Sequence, residues 1–235
     1  MPAEGIVSMA APSATDMVVV ITGGDPVPPS HVSMLPPGIR VVAADSGVEH
    51  ALALGLDVDL VVGDLDSASP ASVERAVAAG ATVERHPAAK DATDLELALD
   101  AARAMGPQRI HVLGGHGGRL DHLLANVLVL ARPDHDSVAV TAQMGAARIA
   151  VVRHAVELRG PIGDLVTLLP VHGPARGVTT TGLLYPLHAE ELVPGTTRGV
   201  SNELVSDPAT VTLTGGVLVA VQPGLLGTHH QEIPR

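Results

Sequence analysis

The sequence predicts an α/β fold in which a mostly parallel, helix-flanked N-terminal sheet of Rossmann-like kind is followed by an all-β sandwich. Three observations carry this expectation. From Met17 to about Leu130, short β-branched runs alternate with helical stretches, the pattern of a parallel sheet covered on both faces. After about Gln143 the helical stripes cease and short β-type segments broken by Gly and Pro take over, as in a sandwich or partial barrel. Hydrophobic residues make up 46% of the 235 residues and charged ones 17%, enough to fill a sizeable core. The domains expected are a flexible tail over 1–16, an α/β domain over 17–143 and a β-sandwich over 144–235.

The parallel strands are expected at 18–21, 40–44, 60–62, 82–85 and 109–113. Between them, Ser69-Pro70 reads as N-cap plus first helical residue, and that helix stops near Gly80. Thr93 and Glu96 have capping-box spacing, and Leu95, Ala98, Leu99, Ala102 and Met105 then form one apolar stripe at helical period. In the second half, β-type segments fall at 147–152, 164–169, 209–213 and 217–221.

Composition excludes several classes of function. The net charge of −11 repels phosphate backbones and argues against nucleic-acid binding. The chain has no cysteine, so disulfides, thiolate metal sites and cysteine nucleophiles are ruled out, in keeping with an expected cytoplasmic location. No Lys or Arg precedes Arg40, so the first residues lack the positive region of a signal peptide. The apolar runs are too short or too interrupted for a bilayer span. Phe and Trp are absent and Tyr185 is the single aromatic residue, so aliphatic side chains must fill the core.

In an open parallel sheet, ligands bind beyond the carboxyl ends of the strands, and the unusual residues fall there. Thr22-Gly23-Gly24-Asp25, Asp45-Ser46-Gly47, Gly63-Asp64-Leu65-Asp66-Ser67, Lys90-Asp91-Ala92-Thr93-Asp94 and the stretch from Gly114 to His122 each follow one expected strand. In an extended segment Asp64 and Asp66 face one side, and two carboxylates held together are costly unless a cation lies between them. Hard oxygen ligands suit Mg²⁺ shared with substrate phosphates, although Asp-x-Asp-Ser is also an ordinary turn. Asp91 and Asp94 stand near a helix start, where acids are favoured by the dipole alone, but one strand–helix unit from Asp64. Lys90, the only lysine, abuts this group as a candidate phosphate contact. The glycine-rich turn before Arg119, Asp121 and His122 suits anion binding at a helix N-terminus. His122 and Asn126 lie one turn apart on that helix, where capping or solvation is the plainer reading.

At these residues the chain resembles the thiamine pyrophosphokinase family. The resemblance rests on Ala44-Asp45-Ser46-Gly47, Gly63-Asp64-Leu65-Asp66-Ser67, Asp91-Ala92-Thr93-Asp94-Leu95-Glu96 and Gly118-Arg119-Leu120-Asp121-His122. Gly182-Leu183-Leu184-Tyr185-Pro186-Leu187 and Gly199-Val200-Ser201-Asn202-Glu203 continue it in the second half. It implies ATP + thiamine → AMP + thiamine diphosphate, with Mg²⁺, in a homodimer that binds thiamine between subunits. It further implies that Asp64, Asp66, Asp91 and Asp94 handle metal and phosphates, with Arg119 and Asp121 lining the same site. Asp45, Ser46, Gly47, Lys90, Thr93, Gly118, His122 and Asn126 are the nucleotide-binding candidates, and Tyr185, Ser201 and Asn202 those for thiamine. Asp121 is a candidate proton acceptor, metal ligand or holder of Arg119. Two departures are visible: Ser46 stands where Gly is commoner, and no Trp is available to lie against thiamine, leaving Tyr185 or aliphatic side chains to cover its rings. The rival readings are a metal-dependent phosphohydrolase using the same acidic edge and a non-catalytic nucleotide or thiamine sensor.

Overall fold

The computed structural model describes residues 13, 14, 16–89, 91–133 and 136–224. Most of the expected N-terminal tail, Lys90 and the last residues lie outside that range. Six strands run parallel in the order β4-β3-β2-β1-β5-β6: β1 is Met17–Thr22, β2 Arg40–Ala44, β3 Leu60–Gly63, β4 Thr82–Arg85, β5 Arg109–Leu113 and β6 Ala139–Met144. Every residue of β1 is buried, because helices cover both faces, and this is why the strand reads as an unbroken apolar run. Edge strand β4 is mostly exposed and ends in Glu84 and Arg85, charges that blunt an open edge.

Helices α1 (Gly47–Ala53) and α2 (Pro70–Ala78) lie on one face, where Val48, Ala51, Val73 and Ala76 pack on Val19, Ile21 and Val41. On the other face, α3 (Asp94–Ala104) and α4 (Leu120–Leu130) set Leu95, Ala98, Leu99, Ala102 and Leu130 against Val18, Val20, Ile110 and Val112. The predicted α3 stripe is thus the buried one, and a fully buried Leu99 contributes about 1.5–3 kcal/mol by transfer alone. The Thr93 hydroxyl accepts the Glu96 N–H at 3.2 Å, as the capping-box spacing predicts. Helix α2 starts at Pro70, and Gly80 follows its end with φ 115°, a conformation only glycine adopts readily.

The sheet does not stop at the expected boundary near residue 143. Strand β6 turns at Gly145 into antiparallel β7 (Ala147–Val152), and the hydrogen-bonded path continues through β13 (Gly215–Gln222) to β9 (Leu165–Thr181). The first part of β9 pairs with β13, and its last residues pair with β12 (Ala209–Thr212), itself joined to β8 (Ala155–Leu158). His172, Gly173 and Gly177, all at positive φ, let this 17-residue strand change layers. The short strands β10 (Glu190–Leu192) and β11 (Asn202–Glu203) also pair with β9. Alternation along β13 sends Val219 to the helix-side core and Leu218 and Ala220 to the sandwich core with Leu158, Leu168 and Leu204. No helix among the described residues is long and apolar enough to cross a membrane.

Candidate active site

The strand order reverses between β1 and β5, and the loops after these two strands interlock at the carboxyl edge. Gly115 N–H donates to Gly23 O at 2.9 Å, and Asp25 N–H donates to His116 O at 2.8 Å. A Cβ on Gly114 would stand 2.4 Å from Thr22 O, so the approach of the two loops requires glycine. Next to them, a Cβ on Gly47 would meet Ile21 O at 2.1 Å, which is why α1 begins with a residue that has no side chain. This is the crevice where an open α/β sheet receives its ligand.

One step along the edge, the carboxylates of Asp45, Asp64 and Asp66 come together, with one oxygen from each lying within 4.8 Å of the others. Asp45 follows the last residue of β2 with φ 46° and its N–H donates to Val62 O at 2.8 Å, which fixes it beside the end of β3. Only 7% of it is exposed, and its Oδ1 has no hydrogen-bond partner among the described residues. Burial pushes its pKa up, the Ser46 amide pulls it down, and the charges of Asp94, Asp66 and Asp64 push it up further. An array of hard oxygens, one of them buried and unpaired, fits a divalent cation.

The path by which Asp64 and Asp66 meet differs from the extended segment expected. Leu65 has φ 63°, so the segment turns, and Asp66 N–H closes the turn on Asp64 Oδ1 at 3.2 Å. Ser67 Oγ donates to Asp66 Oδ1 at 3.0 Å. Asp94, the first residue of α3, sits over the end of β3, for a Cβ on Gly63 would stand 2.8 Å from Asp94 Oδ1. Asp94 therefore faces the group, whereas Asp91 is exposed and lies outside the three-carboxylate set. Asp45, read from sequence as a nucleotide contact, is the carboxylate that completes it.

Arg119 and Asp121 pair with each other through contacts of 2.6 and 3.2 Å, both largely exposed. The Arg119 hydrogen bond, above all, brings the Asp121 carboxyl down to about 2. Gly118 has φ 59° and open space where a side chain would stand. Asn126 turns back to the glycine loop, donating to Gly115 O at 2.9 Å, while His122, one turn earlier, is exposed. Ser46 makes no side-chain cap bond on α1, and the Thr93 hydroxyl is committed to the α3 cap.

In the antiparallel half, Tyr185, Leu187, Thr197, Arg198, Gly199, Val200 and Asn202 line a cleft of about 350 Å³. Asn202 is buried and grips the Tyr185 backbone from both sides, accepting its N–H at 3.0 Å and donating to its carbonyl at 2.8 Å. Ser201 lies outside the lining, at φ 56°, and its N–H donates to Thr167 Oγ1 at 3.1 Å. Arg198 is held by Glu190 through two bonds of 2.9 Å, a pairing that lowers the Glu190 pKa. Thr197 and Arg198 lie outside the motifs that carry the resemblance, although Arg198 immediately precedes the Gly199 motif. None of the acidic residues lines this cleft.

Two family models match the chain. "Thiamin pyrophosphokinase, catalytic domain" covers residues 38–142 and "Thiamin pyrophosphokinase, vitamin B1 binding domain" residues 153–218. The thiamine pyrophosphokinase of Bacillus subtilis (strain 168) is 27% identical over 191 residues, 77% of this chain and 86% of that protein. A crystal structure of thiamine pyrophosphokinase from Bacillus subtilis superimposes with a TM-score of 0.78 at 25% identity, covering 89% of this chain and all of that one. One from Geobacillus thermodenitrificans gives 0.73 at 26% identity, covering 88% and 96%. These matches favour neither the phosphohydrolase nor the sensor reading. With family matches spanning both halves of the fold and the acidic site inside the first, the chain belongs to the thiamine pyrophosphokinase family.

Proposed function

We propose that this chain transfers the pyrophosphoryl group of ATP to the hydroxyl of thiamine, giving thiamine diphosphate and AMP, with Mg²⁺ held by the acidic group. The observation that carries the reading is the set of three carboxylates within 4.8 Å, set in a chain of this family. Asp45, Asp64 and Asp66 would hold the cation, with Asp94 facing them and Asp91 on the approach. The cation, when bound, supplies charge neutralisation for phosphate oxygens.

The thiamine hydroxyl oxygen attacks the β-phosphorus in line and gives up its proton to solvent; the bond from that phosphorus to the α,β-bridging oxygen breaks and AMP leaves. Such transfers depend on positioning and on charge balance more than on covalent chemistry. The loop at 114–118 offers a glycine-lined anion seat ahead of α4. Arg119, at the N-cap of α4, offsets phosphate charge. Asp121, with its carboxyl brought down to about 2, stays ionised near neutral pH and orients the Arg119 fork.

Thiamine is assigned to the cleft beside Tyr185, where Leu187 and Val200 supply apolar cover and Glu190 balances Arg198 against a cationic ligand. A homodimer is part of this reading. Leu120, Leu124 and Leu128 recur at i, i+4 and i+8 on α4 and are 69%, 57% and 47% exposed, an apolar stripe that a second copy would cover. The absence of cysteine suits a cytoplasmic enzyme.

The reading is tested by following ATP consumption with Mg²⁺, with and without thiamine. Consumption is expected to require thiamine, and Asp64→Asn to slow it about a hundredfold or more with an unchanged fold. Thiamine-independent consumption, or near-normal turnover by the variant, would overturn it.

A further inference from the structure

Glu49 stands in the first turn of α1, four residues after Asp45. A glutamate in the third position of a helix commonly reaches back to the N-cap amide of its own helix. Here its Oε1 accepts the N–H of Ser69, twenty residues on. Ser69 is the N-cap of α2, its hydroxyl makes no cap bond, and Pro70, Ala71 and Ser72 follow it, so α2 has no acid of its own at that position. The N-cap amide of α2 is thus satisfied from α1, and the two helices pack against each other. The other carboxylate oxygen, Oε2, is buried without a hydrogen-bond partner among the described residues. A buried unpaired carboxylate oxygen is unfavourable, so the bond made by Oε1 is kept at a cost in stability.

That bond has a structural consequence for the acidic group. The loop at 64–69 leaves β3 where pairing of Ala44 with Val62 fixes it beside Asp45. It then passes through the left-handed Leu65 and the turn that joins Asp64 to Asp66. A leucine at φ 63° persists only where its surroundings over-determine it. The register of β3 fixes one end of the loop; the other is held by the first turn of α2, whose Ser72 and Val73 N–H groups donate to Ser69 O, and by the Glu49 bond to the Ser69 N–H.

We propose that Glu49 is a positioning residue for the acidic group: by clamping Ser69 it holds Asp64 and Asp66 at the distance from Asp45 that a divalent cation requires. The proposal rests on the reading of that group as the Mg²⁺ site. Residues that orient metal ligands change metal affinity or activity by about 10–100-fold when removed.

The test compares Glu49→Ala, Glu49→Gln and Ser69→Pro with the parent chain. It reads the Mg²⁺ concentration for half-maximal thiamine-dependent AMP formation and, independently of turnover, the rise in thermal midpoint caused by Mg²⁺ alone. Glu49→Ala is expected to raise the half-saturating Mg²⁺ about 10–100-fold and to lose most of the Mg²⁺-induced rise. Glu49→Gln keeps an oxygen that accepts the same N–H and should restore both readouts to within about threefold, since a neutral acceptor still makes the bond. Ser69 has φ −65° and ψ 126°, values proline adopts and tolerates before Pro70; Ser69→Pro therefore removes the donor without changing the backbone angles of residue 69, and should reproduce Glu49→Ala. The double variant should be no worse than either single one. Parental Mg²⁺ dependence in Glu49→Ala or Ser69→Pro would overturn the proposal, as would a Glu49→Gln as impaired as Glu49→Ala. A parent chain that forms no thiamine-dependent AMP would instead sink the functional reading; an active parent with indifferent variants sinks this inference alone.

Discussion

Asp45 follows the last residue of its strand in a left-handed turn, with one oxygen buried and unpaired and three further carboxylates raising its pKa after burial has done so. A carboxyl whose folded pKa is raised favours the folded state below the ordinary carboxylate range, and that contribution is lost as pH rises through the raised value. At neutral pH without a cation, the ionised Asp45 therefore strains the fold. Asp45→Asn should melt above the parent chain in EDTA and should lose the Mg²⁺-induced rise, which for the parent is roughly 5–10 °C at a hundredfold excess over Kd. A variant that melts below the parent in EDTA and still responds to Mg²⁺ would remove Asp45 from the group. Gly63 makes a second case: at φ 145° with Asp94 Oδ1 2.8 Å from a would-be Cβ, Gly63→Ala should displace Asp94 and cut turnover while the β3 pairing persists. At this scale the placement of Asp64 and Asp66 was legible because acids just beyond a strand are conspicuous, and that of Asp94 because it opens the capped helix α3. The part Asp45 plays was not, since it depends on a left-handed turn and on the pairing of its N–H with Val62. Neither can be read from an Asp-Ser-Gly string.

Elements show a similar division. Strands β1, β2, β3 and β5 were legible as β-branched runs because they are mostly buried, and β4 was legible although it is exposed; β6, which buries only alternate residues, was not. Helix α3 was legible from its stripe and cap. Helix α1 was not: it is seven residues long, starts at Gly47 and buries only Gly47, Val48 and Ala51. Of strand β9 only the first part, 164–169, was legible, because His172, Gly173, Pro174 and Gly177 interrupt the rest, and these are the residues that bend it between layers. Strand β5 carries a further prediction. His111 faces Thr141 of β6, with its Nδ1 2.8 Å from the hydroxyl, and burial, followed by the nearby His31, pushes it from 6.5 to about 4. The fold holds this ring neutral, so its contribution is complete above pH 6.5 and is lost as pH falls from there towards 4. His111→Gln should flatten the acid side of a urea-stability profile over that window by up to about 3 kcal/mol. An unchanged slope would assign the acid sensitivity elsewhere.

Over the whole molecule, one hydrogen-bonded sheet runs from β4 to β8 through the place where sequence texture changes. The change was legible, because helices end there. The continuity was not, because pairing of β6, β7 and β13 depends on register between distant segments. The exposed leucines of α4 belong to this scale too. Leu124→Asp should leave the core intact and turn a sedimenting dimer into a monomer; a parent chain that is already monomeric, or a variant that stays dimeric, would place the subunit contact elsewhere or nowhere. The central claim is the transfer of two phosphoryl units together, and phosphorus NMR of the products formed from ATP, Mg²⁺ and thiamine tests it most directly. AMP and thiamine diphosphate in equal amounts, with neither formed when thiamine is left out, is the result predicted here. ADP with thiamine monophosphate, or inorganic phosphate released without thiamine, would contradict it.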